Sequence, residues 1–283
     1  RYRLNDPIFV QYLYYMKGLL LGEMGYSRAA GMPIKDALAR RLPATIELTL
    51  ASLLVAIFLG ILLGTKSAVR SGSSIDQITR ILALGGVSVP IFWFALILLA
   101  LFYAKLQILP IGRFSPYIWT TAERHTQFYL LDAILNKSPA QFWDAIKHMI
   151  LPAFCLGYLE MATIMRMMRS TMLEVLGEPY ITAVRAKGMP EKIVINKHAR
   201  KNALIPVTTT IMLSFGNMLA GSTLTEKVFN WPGMGLLAAD AILALDTTTI
   251  MAYVIVTGAI YMITNILADI LYAFLDPRIR FGK

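Results

Sequence analysis

Five stretches of this chain are apolar over the length a helix needs to cross a lipid bilayer, and that pattern limits the fold more than any other feature. They cover residues 44–64, 81–103, 150–165, 203–224 and 250–275. A hydrocarbon core about 30 Å thick takes roughly 20 helical residues at about 1.5 Å each. Lipid offers unpaired backbone groups no partner, and the runs are too long and too evenly apolar for barrel strands, so each reads as a helix. The composition agrees: hydrophobic residues make up 57% of the chain and charged residues only 16%, against about 25% charged in an ordinary globular domain. Mean hydropathy is +0.59. The expected fold is an all-α polytopic membrane protein with five transmembrane helices in view.

The basic residues set the orientation, because cytoplasmic loops hold an excess of Lys and Arg. One side would carry Lys66, Arg70 and Arg80 in the loop 65–80, eight basic residues between Arg166 and Lys201, and Arg278, Arg280 and Lys283 in the tail. The other side has Lys105, Arg113, Arg124, Lys137, Lys147 and Lys227. The fourteen-to-six excess places the segment around residues 170–206 and the C-terminus in the cytoplasm. Five spans that end inside begin outside, so residues 1–43 form an external segment ahead of the transmembrane domain, 44–283. That segment is itself basic, and an additional span ahead of Arg1, making six, would relieve the conflict. The net charge of +10 is explained by topology and by attraction to anionic membrane lipid, so no nucleic-acid partner is expected. Cys155 is the only cysteine and can form no internal disulfide.

Catalytic chemistry is sparse. Gly60 to Ser67, GILLGTKS, looks like a phosphate loop, but one residue is missing between the glycines and Thr65 separates Gly64 from Lys66. Two small residues four apart more naturally let helices pack closely. His125, His148 and His198 lie on different loops with no metal-binding spacing, and no G-x-S-x-G elbow is present. No catalytic residue, metal site or cofactor is assigned. Glu47, Glu160 and Asp269 fall in or near the apolar runs, where ionisable groups mark function. They keep open an intramembrane hydrolase and, through Glu160 and Asp269, an ion-coupled secondary transporter or channel.

Between the third and fourth runs lies a polar, basic insert. Glu178 and Pro179 suit a helix start, with an acidic side chain at the positive end of the dipole and a proline where its missing N–H costs nothing. A short helix from Tyr180 to Lys187 is closed by Gly188. A second helical stretch, 191–203, returns the chain to Pro206. The first helix has small residues on one side and could enter a cleft on a partner; an interfacial helix resting on headgroups is the plainer reading. Farther on, Trp231-Pro232-Gly233 should stop the fourth span on the external face. Residues 234–245, with Gly235, are too few to span and should dip partway back as a gate or plug at the outer mouth.

At these residues the chain resembles the permease subunits of ATP-binding-cassette importers. Thr182-Ala183-Val184 stands where that family has the EAA letters of its cytoplasmic loop, and Gly188 matches the loop glycine. The peptide and nickel branch of the family looks like A-R-A-K-G followed by R-H-A-x-R-N-A-L-I-P. Here Val184-Arg185-Ala186-Lys187-Gly188 precedes Lys197-His198-Ala199-Arg200-Lys201-Asn202-Ala203-Leu204-Ile205-Pro206. GEMGYS from Gly22, RLPAT from Arg41, VFNWPGMG from Val228 and DPRIR from Asp276 resemble further motifs of the branch in the same order. Pro179 replaces an acidic residue, and the external stretch 113–147 is long.

The resemblance implies a type I importer permease fold with a first span before the external segment, in a prokaryotic inner membrane. It implies a coupling helix of Tyr180, Thr182, Ala183, Val184, Arg185, Ala186, Lys187 and Gly188. Glu160, Trp231, Pro232, Gly233 and Gly235 are the cavity and gate candidates. The implied partners are a second, homologous permease chain in a heterodimer, two ATPase subunits that bind ATP and Mg, and an extracytoplasmic substrate-binding protein. The cargo would be a peptide, a nickel chelate or an oligosaccharide, with peptides favoured.

Overall fold

The computed structural model describes residues 6–120, 123 and 125–275. The tail with Asp276, Pro277, Arg278, Arg280 and Lys283 lies outside the described residues. Helix α1 (Ile8–Leu20) leads to a two-stranded hairpin, β1 (Tyr26–Ser27) and β2 (Met32–Pro33), with Tyr26 opposite Pro33. Then come α2 (Ile34–Val69), α3 (Ser74–Ser88) and α4 (Ile91–Leu98), the last running into a π-helical stretch, Leu99–Lys105. A segment containing α5 (Tyr129–Leu135) precedes α6 (Pro139–Leu176) and the short α7 (Pro179–Ala186). A continuous helical path follows, made of α8 (Glu191–Ile193), a π-helical stretch (Val194–Ala199) and α9 (Arg200–Gly221). The order closes with α10 (Thr223–Val228), α11 (Met234–Leu243) and α12 (Thr247–Leu275).

Each apolar run lies in helix, with three differences from the expected pattern. The first begins ten residues early, at Ile34, so the boundary at residue 43 falls inside α2; Pro43 is carried within the helix because packing around Ala44 and Leu48 holds the turn. The second is broken: α3 and the helix from Ile91 to Lys105 meet at 108°. Val89 sits before Pro90 in extended conformation (φ −89°, ψ 126°), as steric conflict with a proline ring favours. The fourth, in α9, has 22 residues but is interrupted by Thr208, Thr209, Thr210, Ser214 and Asn217. By length and apolarity α2, α6 and α12 qualify as spans among the described residues, and the bent pair would be a fourth.

The centre is α2 against α6, drawn together by glycine. A Cβ on Gly64 would stand 2.7 Å from Met165 O, and one on Gly157 would stand 2.6 Å from Ser52 O. The pair Gly60 and Gly64 is a helix-packing device, as the spacing suggests. Around this seam Ala56, Met161, Ile164, Met168 and Met172 form a core that continues into α9 through Ala203, Val207 and Ile211. Outward, Leu50, Leu54 and Phe58 are exposed every fourth residue along α2, a stripe suited to lipid.

Buried carboxylates knit the ends. On the side read as cytoplasmic, Asp76 takes Arg169 at 2.7 Å, the Ser67 hydroxyl and the Gly72 N–H. At the other end, Asp246 just ahead of α12 accepts from the Arg28 and Ala29 N–H groups and the Thr249 hydroxyl, which binds the early hairpin loop to the last helix.

Candidate functional site

The insert folds into an amphipathic short helix held against the end of α6. Pro179 takes the first helical position after Glu178, whose side chain makes no capping bond. Ile181 is fully buried and joins a cluster with Met172, Val194 and Ala199, with Val184 packed beside it. Tyr180 accepts a 2.6 Å hydrogen bond from Asn202 Nδ2, fixing α7 to the start of α9. Thr182, Ala183, Ala186 and Lys187 are exposed on the opposite face. Gly188 turns the chain with φ +73°, the left-handed conformation that glycine adopts without strain.

Arg185 donates to both carboxylate oxygens of Glu191, at 3.2 and 2.7 Å. These bonds hold the Glu191 carboxyl below its ordinary range, although the pair is exposed. The bridge spans the Gly188 turn and clips α7 to α8. Beyond it the backbone passes through the π-helical stretch, a geometry that recurs at functional positions. The second helical stretch therefore does not stop before Pro206: the helix continues through it because Ala203 and Val207 are already buried on one face.

The cluster around Trp231 is built on two carboxylates. Trp231 is fully buried and its indole N–H donates to Ala44 O at 2.8 Å. Arg113 lies 5.6 Å from the Trp231 ring centre and 4.4 Å from that of Tyr129. It is paired with buried Glu47 at 2.6 Å, while the Leu130 N–H donates to the other Glu47 oxygen. Pro232 is half-buried and lines a cavity of about 450 Å³ with Arg40, Arg41 and Arg113. Gly233 and Gly235 are buried, and their role is proximity: a Cβ on either would meet the Glu226 carboxylate. Glu226 accepts from the Thr45 and Ser222 hydroxyls and the Leu236 N–H. Thr45 in turn accepts the Met234 N–H at 2.8 Å. The first turn of α11 is thus tied to α2, and α11 is the short helix expected after Trp231-Pro232-Gly233, ten residues long.

Glu160 lies elsewhere, half-buried on α6, and accepts from the Ser214 hydroxyl of α9 at 2.5 Å. Asp269 is exposed on α12. Glu47, Glu160 and Asp269 therefore occupy three helices with separate surroundings and form no common carboxylate pair. Sequence reasoning missed Glu226 altogether and treated Arg113 only as a loop charge. A carboxylate five residues before Trp231, next to a Pro-Gly break, was the available signal for Glu226. The pairing of Arg113 with Glu47 joins positions 66 apart and left no local trace.

The family of binding-protein-dependent transport system inner membrane components matches residues 56–281. The chain is 43% identical over 285 residues to the dipeptide transport system permease protein DppB of Alkalihalophilus pseudofirmus, covering 99% of this chain and 84% of that protein. It is 41% identical to the probable D,D-dipeptide transport system permease protein DdpB of Escherichia coli K12, covering 99% and 82%. The oligopeptide transport system permease protein AppB of Bacillus subtilis is 36% identical over 99% of this chain and 83% of its own length. With a family match over most of its length, long glycine-packed apolar helices and a short helix set outside them, the chain belongs to the binding-protein-dependent transport system inner membrane components, which have the type I ABC-importer permease fold.

Proposed function

We propose that this chain is a permease subunit of an ATP-driven peptide importer and that α7 is its coupling helix. The observation that carries this reading is the build of α7: Ile181 and Val184 anchor it, the Arg185–Glu191 bridge clips it, and Thr182, Ala183 and Ala186 present a low-relief face outward. Small side chains leave room for a partner's cleft walls. The names of the similar permeases, dipeptide and oligopeptide, support peptide as the cargo.

In this mechanism a second permease chain completes the path, and two cytoplasmic ATPase subunits hold ATP and Mg. Closure of the ATPase dimer pushes α7. Because α7 follows α6 across Gly177 and Glu178, the push tilts α6 with α2 packed along it, and the path opens toward the binding protein. At the outer end, α11 and the Trp231-Pro232-Gly233 turn would form the gate, held shut by the bonds of Glu226 and Thr45. Hydrolysis restores the inward-open arrangement. This is alternating access driven from outside the chain, and no residue of the chain need touch nucleotide.

The test is Ala183→Arg in the complete transporter reconstituted with its binding protein. Uptake of labelled dialanine should fall by more than about tenfold and the ATPase subunits should no longer co-purify, while the permease keeps its thermal unfolding temperature, because Ala183 is exposed. Unchanged uptake with unchanged co-purification rejects α7 as the docking element.

A further inference from the structure

Glu160 is placed unlike the other carboxylates near the spans. Glu47 is paired with Arg113, and Glu226 is enclosed by hydrogen-bond donors and close backbone contacts. Among the described residues Glu160 receives only the Ser214 hydroxyl, on Oε2, and no cation lies within ion-pair distance of it. It is also half-buried rather than enclosed. It stands about 16 residues before the end of α6, roughly 24 Å from the cytoplasmic end of that helix. A carboxylate at such depth demands a polar surface, water or a cation.

The polar surface is present. Along α9, Thr210, Ser214 and Asn217 follow one another at spacings of four and three, one face of a helix. On α6, Glu160 is followed three residues on by Thr163, and both are half-buried. The two helices run in opposite senses, with Thr171 near the end of α6 donating to Ala203 O near the start of α9. Thr163 on α6 and Thr210 on α9 therefore lie on the cytoplasmic side of the Glu160–Ser214 contact, and Asn217 lies on its other side. In the other direction the same two helices enter a closed apolar cluster of Met149, Ala153, Leu156, Met218 and Trp231. Glu160 thus sits at a polar patch between two apolar clusters of the α6–α9 seam.

We propose that Glu160, set by Ser214, is a cation-recognition point in the translocation path that takes the primary ammonium group of the cargo. This rests on the peptide-permease reading above. A zwitterionic peptide brings one ammonium, and the free lone pairs of the carboxylate offer the charge-assisted hydrogen bonds that hold it in a dry setting. Ser214 occupies one oxygen and fixes the side-chain rotamer, leaving the other oxygen for the cargo. Asn217 and Thr210 flank the position with neutral donors and acceptors suited to peptide amides.

The experiment uses the complete transporter in proteoliposomes with its binding protein, comparing wild type with Glu160→Gln, which keeps the hydrogen bond to Ser214 and removes the charge. Labelled dialanine and N-acetyl-dialanine are supplied at concentrations that saturate the binding protein. Glu160→Gln should lower dialanine uptake about tenfold or more, the scale of a charge-assisted bond, and leave ATP hydrolysis stimulated by loaded binding protein intact. The ratio of dialanine to N-acetyl-dialanine uptake should fall by a similar factor, and in that comparison of ratios any preference of the binding protein cancels. Unchanged dialanine uptake in Glu160→Gln overturns the inference. So does an equal loss of uptake, subunit assembly and ATP hydrolysis, which would make Glu160 a structural contact. Wild-type complexes that hydrolyse ATP but import no peptide would instead reject the peptide-permease reading on which the inference rests.

Discussion

Two glycines in the motif-bearing regions do different work at the scale of single residues. Gly188 holds φ +73°, and a Cβ added there would meet nothing within 4 Å, so its role is conformational. Gly235 has ordinary backbone geometry, but a Cβ there would lie 2.5 Å from Thr223 Cα and against the Glu226 carboxylate. Gly188→Ala should therefore loosen only the end of α7, at a local cost of about 1–2 kcal/mol, with little change in the thermal unfolding of the detergent-solubilised protein. Gly235→Ala should force α10 and α11 apart, cost about 1–3 kcal/mol and lower the unfolding temperature visibly. Equal unfolding temperatures for the two variants would refute this division of roles. Gly188 was legible in the sequence because a helix end is a local event. The need for Gly235 was not, since it arises from Glu226 folding back onto the start of α11, and only packing reveals that.

Among the elements, the legible part was the existence of apolar helices and of a short helix after Glu178. Both follow from periodicity, propensity and a proline-glycine frame acting over a few turns. The 108° bend in the second run was not legible, although Pro90 marks its place, because hydropathy records how apolar a segment is and not where it points. Helix α9 carries the opposite lesson. Its polar residues are accommodated because it packs against α6 and α12, with Gly216 letting Tyr261 and Thr264 approach, so apolarity understates its depth. The most extensive seam is α2 with α6, where a Cβ at Gly64 would already press on Met165 O and Met168 Cβ. Gly64→Val should separate these helices and remove most of the folded permease from detergent extracts, as read by size-exclusion chromatography. Leu54→Ala, at a position 69% exposed on the lipid-facing stripe, should change stability by no more than about 0.5 kcal/mol. Similar yields for both would contradict the seam.

For the whole molecule, the charge asymmetry predicts that α7 and the start of α6 face opposite compartments. Lys187 and Ala140 are both exposed, and Cys155 is buried, so single cysteines can be read cleanly in a Cys155→Ala background. K187C should react with an impermeant maleimide only in inside-out vesicles and A140C only in intact cells or right-side-out vesicles. Labelling of both from one side would overturn the orientation. The contacts that finish the face read as external also reach across most of the chain: Arg28 to Asp246, Ala44 to Trp231 and Thr45 to Glu226 join positions more than 180 apart. During synthesis the hairpin after α1 and the N-terminal part of α2 emerge long before these partners exist. That face thus waits unlatched until Asp246, just ahead of α12, has been made, and a chain halted before Glu226 would have none of these three latches.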